Sequence, residues 1–162
     1  MGYNAWRLME PVQATPQHQW LLNLVGEWKV SPGGEEGFLG GSDTITALGE
    51  AWISGRLSLN FEGGRVMSSQ TTLGFDEAKG KFVGTWVGDM MSNQWVYEGE
   101  LSEDETELRL YSVGPAFDGS GEMNNYCDTV VILSENERLL RGTVQQPDGT
   151  WHQFMETHFT RV

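Results

Sequence analysis

The stretch Leu24-Val25-Gly26-Glu27-Trp28 marks the change from helix to strand that decides the fold. Before it, residues 16–24 predict one or two helical turns, with Thr15 as the cap and Pro16 at the first position. After it, clusters of Gly, Pro, Asn and Asp separate runs rich in Val, Ile, Thr and aromatic residues. The chain therefore changes once from helix to strand, and strand and turn signals continue to its end.

Short strands at regular spacing, with no helical segments between them, predict antiparallel hairpins and hence a barrel or a sandwich. We predict one all-β domain over residues 16–162 and an N-terminal arm over residues 1–15. About ten strands are expected, approximately at 25–30, 43–49, 51–61, 65–73, 81–88, 93–101, 106–112, 122–133, 138–146 and 151–161.

Composition limits the partners that this chain is expected to have. Its 162 residues suffice for one buried core, and its 10 basic against 23 acidic residues give a net charge of −13. Such a charge repels phosphate backbones and anionic lipids, so neither a nucleic acid nor a membrane is expected as a partner. The first twenty residues lack the basic start and apolar run of a signal peptide, which predicts a cytoplasmic protein. Cys127 is the single cysteine and is expected to be a small buried side chain.

The pair formed by Gly26-x-Trp28 in the first strand and Arg161 in the last is similar to the signature of the calycin superfamily, which contains the lipocalins and fatty-acid-binding proteins. This resemblance implies a single antiparallel barrel in which the Trp closes the floor and the Arg stacks on the indole. A partly desolvated guanidinium on a Trp ring contributes about 1–2 kcal/mol, and its donors can also satisfy loop carbonyls. The resemblance therefore favours a barrel over a sandwich.

A closer resemblance extends from His18 to Arg161. It rests on His18-Gln19-Trp20-Leu21, Gly55-Arg56-Leu57, Leu73-Gly74-Phe75-Asp76 and Lys81-Phe82-Val83-Gly84-Thr85-Trp86, which follow one another in this order, and on Thr160-Arg161 at the end. The chain resembles an uncharacterised bacterial family of lipocalin-like proteins, a domain of unknown function. The resemblance implies a fold and no activity; the Gly-rich loop at 113–121 and the pair Asn124-Asn125 depart from the family pattern.

Residues of the last strand that share the parity of Arg161 are expected to face the barrel interior. Their mixture of apolar and small polar groups is typical of the wall of a ligand cavity, and also of a filled barrel core. A cavity is preferred because barrels of eight or more strands have room for a small ligand. The candidate pocket residues are Trp52, Arg56, Trp86, Trp95, Tyr97, Tyr126, Trp151, Gln153 and Met155.

Two local alternatives stay open at this point. Trp52 and Arg56 share one face of their strand while Leu57 and Leu59 share the other, so only one set can line the interior of a regular strand. An inward Arg56 would hold a carboxylate or phosphate, whereas an outward one would be a surface residue. Met90-Met91 would form either an adaptable lip at a barrel mouth or a patch buried under the arm.

Metal and cofactor sites are not expected. His152, Glu156 and His158 are metal-ligand types on one strand face, but parity with Arg161 points them to solvent unless a bulge shifts the register. The same parity argues against a haem ligand. No metal ion, haem or other cofactor is therefore predicted.

Three functions remain. The first is a non-catalytic barrel for a small, largely apolar ligand. The second is a packed structural or interaction barrel, monomeric or homodimeric, that acts through its surface. The third is an isomerase or hydrolase with an inward-facing titratable group, for which Glu98 and Asp128 are the candidates. We expect binding rather than catalysis.

Overall fold

A computed structural model describes residue 6 and residues 9–162. Residues 1–5 and 7–8, which belong to the predicted N-terminal arm, lie outside the described residues, so the arm stays a prediction. Within the described residues, the structure contains one short α-helix followed by ten strands.

The helix α1 (Pro16–Leu22) begins where the capping signals predict. Thr15 is the N-cap: its side chain accepts a hydrogen bond from the His18 backbone, and the His18 ring nitrogen Nδ1 accepts from the Thr15 backbone in return. This reciprocal arrangement is a capping box with His in the place of the usual Glu or Gln. The other ring nitrogen of His18, Nε2, lies 3.2 Å from the carbonyl oxygen of Phe75, so this buried histidine fastens the helix to the barrel.

All ten strands pair with their neighbours in antiparallel fashion. β1 pairs with both β2 and β10, and this double pairing closes the sheet into a barrel. The predicted all-β antiparallel barrel of ten strands with one short helix is confirmed. The strands are β1 (Gly26–Val30), β2 (Phe38–Leu48), β3 (Trp52–Phe61), β4 (Val66–Asp76), β5 (Lys81–Gly88), β6 (Trp95–Leu101), β7 (Glu107–Pro115), β8 (Met123–Ser134), β9 (Glu137–Gln145) and β10 (Trp151–Arg161).

Three strands, β2, β4 and β7, are longer than expected, and glycines lie within the added segment of each. β2 begins at Phe38 rather than near residue 43. Gly41 pairs with Leu59, and a Cβ at Gly41 would collide with the Ser58 carbonyl, so the glycine permits a close approach of the two strands. β7 runs to Pro115 because the segment from Val113 onward continues its pairing with β8.

The barrel has two different ends. At the end that we call the floor, the residues Leu21 and Leu24, in and just after α1, pack with Trp28 and Phe159 in one buried cluster. The opposite end, the mouth, carries the loops at 89–94 and 116–122, which join β5 to β6 and β7 to β8. The side chains that point inward between these two ends therefore face an enclosed interior.

Candidate ligand-binding cavity

The barrel interior contains a cavity of about 290 Å³. Aliphatic, aromatic and methionine side chains from all the strands except β1 form most of its wall. Apart from the two tryptophans, the wall residues whose side chains carry nitrogen or oxygen are Asp43, Ser69, Thr71, Tyr97, Tyr126, Asp128, Arg138 and Thr157.

Five of the residues predicted for the pocket lie in this wall. They come from β5, β6, β8 and β10, and each has the parity that its strand requires for an inward side chain. They are Trp86, Trp95, Tyr97, Tyr126 and Met155.

On β3 the face that carries the leucines points into the cavity. Leu57 and Leu59 line the cavity, whereas Trp52 and Arg56 are exposed on the outer face. The Trp52 ring lies over Gly74 of the neighbouring strand, outside the barrel. The predictions that Trp52 lines the pocket and that Arg56 anchors a ligand carboxylate there are therefore wrong. A strand can bury only one of its two faces in a barrel, and here that face is the aliphatic one.

On β10 a β-bulge changes the inward set. The register of β10 against β9 shifts between Gln153 and Met155, so Phe154 enters the cavity wall together with Met155. Above the bulge, Trp151 and Gln153 have outward parity, and Trp151 packs beside the outer-face residue Tyr111 at 6.1 Å between ring centroids. The predictions that Trp151 and Gln153 line the pocket are wrong, because the bulge reverses the alternation.

Aromatic rings gather at the mouth. Trp95 and Tyr126 meet edge to face at 5.0 Å, and Phe117 lies 5.3 Å from Tyr126 and 5.6 Å from Phe154. Phe117 belongs to the Gly-rich loop at 116–122, which the sequence presented only as a departure from a family pattern. This loop therefore contributes a wall residue to the cavity.

The methionine pair also lies at the mouth. Met90 and Met91 both line the cavity, and the Trp95 indole nitrogen lies 3.1 Å from the Met91 sulfur. Unbranched thioether side chains adapt to irregular neighbours. Both side chains therefore lie where the adaptable lip was predicted, while residues 1–5 and 7–8 of the arm, on which the alternative depends, lie outside the described residues.

Halfway along β8, Asp128 faces the cavity. Its Oδ2 accepts a hydrogen bond of 2.5 Å from the Tyr97 hydroxyl. Among the described residues, no hydrogen bond reaches the other carboxylate oxygen, Oδ1. Burial raises the pKa of Asp128, against the smaller opposite effect of the Tyr97 hydrogen bond, and burial also raises the pKa of Tyr97. The other carboxylate considered for catalysis, Glu98, is exposed outside the barrel.

A buried ion pair lies near the floor. Arg138 donates to Asp43 at 2.6 Å, and both side chains are buried. The Arg138 guanidinium lies 3.8 Å from the Phe159 ring centroid and 4.7 Å from that of Trp28. Burial raises the pKa of Asp43, while the Arg138 charge lowers it, so the pair is held together in an environment that disfavours either charge alone.

Arg161 lies over Trp28 from the end of β10. Its Cζ is 4.2 Å from the ring centroid, and it donates to the backbone carbonyls of Val25 and Asn23 at 2.8 Å each. Gly26 has a φ of +142°, and a Cβ there would lie 2.6 Å from the Arg161 guanidinium. Only glycine accommodates both the conformation and the close approach.

The structure adds cavity residues that the sequence did not single out. Asp43, Ser69, Arg138 and Phe117 are the clearest of these. Arg138 lies on the same face of β9 as Leu140, and a face that carries one charged and one apolar residue could point inward or outward. Asp43 falls where the sequence suggested the start of a strand. Phe117 lies in a loop, where strand parity gives no signal.

A family model described as "Protein of unknown function (DUF1579)" matches residues 13–161 of the chain. The chain belongs to this family. The DUF1579 match begins just before α1 and ends with the last residue of β10, so it encloses every helix and strand described above. No match to a curated protein was found.

Other features of this DUF1579 protein carry no chemistry that we can assign. Within residues 6 and 9–162, no helix has the length and apolar character needed to cross a bilayer. In the same part of the chain, no three His, Cys, Asp or Glu side chains are grouped to hold a metal ion. Cys127 is buried as expected, and burial raises the pKa of its thiol. The cavity is therefore the feature on which a function can be argued.

Proposed function

We propose that this protein is a lipocalin-like, non-catalytic barrel that binds a small, largely apolar molecule in its interior. The observation that carries the proposal is the cavity of about 290 Å³ with its mostly apolar wall. Ligand sites in proteins are typically concave and apolar with a few polar groups, and their volumes begin near ~300 Å³. An engineered apolar cavity of ~150 Å³ holds benzene in another protein, so this interior matches a ligand of about one or two rings.

Native mass spectrometry of the purified protein, compared with the same sample after denaturation, tests for a retained ligand. A co-purifying mass of metabolite size that is lost on denaturation is the expected result. A second test uses 2-phenylethanol as a neutral probe and follows its binding by NMR titration.

Blocking the cavity provides the matched comparison for that titration. Thr71 lines the cavity, whereas Thr44 is exposed on the outer face of β2. We expect Thr71→Phe to weaken 2-phenylethanol binding at least tenfold and Thr44→Phe to leave it within twofold. Circular dichroism checks that both variants fold, since overpacking typically costs ~1–3 kcal/mol. Equal binding by both variants, or a wild type that neither retains a ligand in native mass spectrometry nor binds a small apolar probe, contradicts the proposal.

A second candidate function rests on the outer face. Val96 and Val113 are 61% and 59% exposed, and they line a shallow depression together with Tyr111 and Trp151. Aromatic residues are enriched where protein surfaces meet. A homodimer through this face would give a sedimentation mass of two chains that falls to one in Val113→Glu; a monomeric wild type removes this candidate.

A further inference from the structure

The carboxylate of Asp128 indicates which polar group a ligand presents inside the cavity. A carboxylate accepts hydrogen bonds at about four lone-pair positions. Tyr97 occupies one of these through Oδ2, and in the described part of the chain Oδ1 has no hydrogen-bond partner. The two residues that pair directly with Asp128 across the sheet are Leu110 and Gly142, neither of which brings a side-chain donor.

The charges that line the cavity do not cancel. Asp43 is matched by Arg138 at 2.6 Å, so these two form a neutral pair near the floor. Asp128 has no cationic partner among the described residues, and two carboxylates against one guanidinium leave one negative charge. A buried carboxylate is costly unless it is paired, so the wall is electrostatically complementary to a cation.

Aromatic rings elsewhere in the cavity wall favour the same kind of ligand. Trp86, Trp95, Tyr97 and Tyr126 line the cavity, and aromatic rings attract cations that lie over their faces. The hydroxyl of Ser69, which is 7% exposed, also lines the cavity and has no hydrogen-bond partner within residues 6 and 9–162. It offers a second polar contact in an otherwise apolar wall.

From this arrangement we infer that the ligand is a small apolar amine whose ammonium group donates a hydrogen bond to Asp128. The inference rests on the proposed function and specifies its ligand class. The apolar part of the amine lies among the mouth residues Trp95, Phe117 and Phe154, and the ammonium reaches Oδ1 halfway down the barrel.

A carboxylate ligand bound by Arg138 is the opposite assignment. Arg138 is only 4% exposed, its Nη2 already donates to Asp43, and two rings cover its guanidinium. Among the described residues, its Nε is buried without a hydrogen-bond partner. A carboxylate would have to compete with Asp43 for this cation, so the geometry favours the amine.

Three probes of similar shape separate these assignments: 2-phenylethylamine, 2-phenylethanol and 3-phenylpropanoate. By NMR titration at pH 7, we expect the amine to bind at least tenfold more tightly than either of the others. Asp128→Asn should reduce amine affinity at least tenfold and leave alcohol affinity within twofold. Glu98→Gln, which changes an exposed carboxylate next to Tyr97, is the matched control and should change neither.

The ratio of amine to alcohol affinity is the readout that a purely structural role for Asp128 would not move. Tyr97→Phe is the second variant, because it removes the competing donor and should leave the amine preference intact or larger. If the alcohol binds and is excluded by Thr71→Phe while the amine has no advantage, the amine inference is overturned and the binding function stands. If 3-phenylpropanoate binds best, the polar anchor is Arg138. If none of the probes binds, both proposals fail.

Discussion

Trp28 is in contact with two guanidinium groups, whose Cζ atoms lie 4.2 Å (Arg161) and 4.7 Å (Arg138) from its ring centroid. Each cation has a further task. Arg138 neutralises Asp43 inside the barrel, and Arg161 holds the carbonyls of the segment between α1 and β1. A single indole therefore connects the buried ion pair to the closure of the floor.

Removal of Arg161 should destabilise the fold measurably. Arg161→Ala loses the ring contact and leaves the carbonyls of Val25 and Asn23 without their donors. We expect the free energy of unfolding to fall by about 2–4 kcal/mol, measured by urea denaturation. Arg56→Ala, an exposed outer-face control, should change it by less than ~0.5 kcal/mol. Equal changes in the free energy of unfolding for the two variants would contradict the role of Arg161 in closing the floor.

Asp128 should make stability depend on pH. Its pKa is raised in the folded state above the ordinary 3.8, so its contribution favours folding below pH 3.8 and is lost as the pH rises through the folded value. Asp128→Asn keeps an acceptor for Tyr97 and removes the titration. We therefore expect the variant to be more stable than the wild type at pH 7, with a difference that shrinks towards pH 3.8 and below. A difference that is constant with pH contradicts this assignment.

At the scale of the element, sequence reasoning succeeded where one strand face is clearly different from the other, and failed where it is not. Trp86 on β5 and Trp95 and Tyr97 on β6 were predicted to line the cavity and do so, because side chains on these strands alternate regularly between the two faces. On β3 both faces carry large side chains. The sequence alone therefore did not decide whether the face with Trp52 and Arg56 or the face with Leu57 and Leu59 points inward. Packing against the rest of the barrel decided between them, and that information is not local.

The bulge in β10 shows a second limit. Parity counted back from Arg161 holds as far as Met155 and then reverses, because one extra residue is inserted between Gln153 and Met155. Nothing in the run of residues marks that insertion. The position of the mouth loop at 116–122 could not be predicted either, since a loop has no repeating pattern that would place Phe117 over the cavity.

Substitution by alanine is predicted to affect ligand binding at Phe117 and not at Trp151. Phe117→Ala should weaken 2-phenylethanol binding by about three- to tenfold, because it removes apolar wall at the mouth. Because Phe117 is 63% exposed, its loss should change the free energy of unfolding by less than ~1 kcal/mol. Trp151→Ala, which changes an aromatic residue outside the barrel, should leave binding unchanged. An NMR titration compares the two, and a loss confined to Trp151→Ala would place the ligand on the outer face.

For the molecule as a whole, the sequence predicted the closed barrel and the connection of its first strand to its last, but the side chains that fill the interior could be identified only from the structure. The net charge of −13 lies mostly on exposed side chains, so it says little about the cavity. Inside, one buried pair is neutral and one carboxylate stands without a cation. This single uncompensated carboxylate in an apolar interior is what gives the cavity its predicted preference for a cation.

The most direct test of interior binding is to locate a bound probe. With methyl-labelled methionines, intermolecular NOEs from the ring protons of 2-phenylethylamine should reach Met91 and Met155, whose side chains line the cavity. Met123, which is 61% exposed and outside the cavity wall, serves as the control and should show none. NOEs to Met91 and Met155, with none to Met123, are the result that we predict. NOEs to Met123, or to none of the three methyl groups under saturating probe, would contradict a binding site inside the barrel.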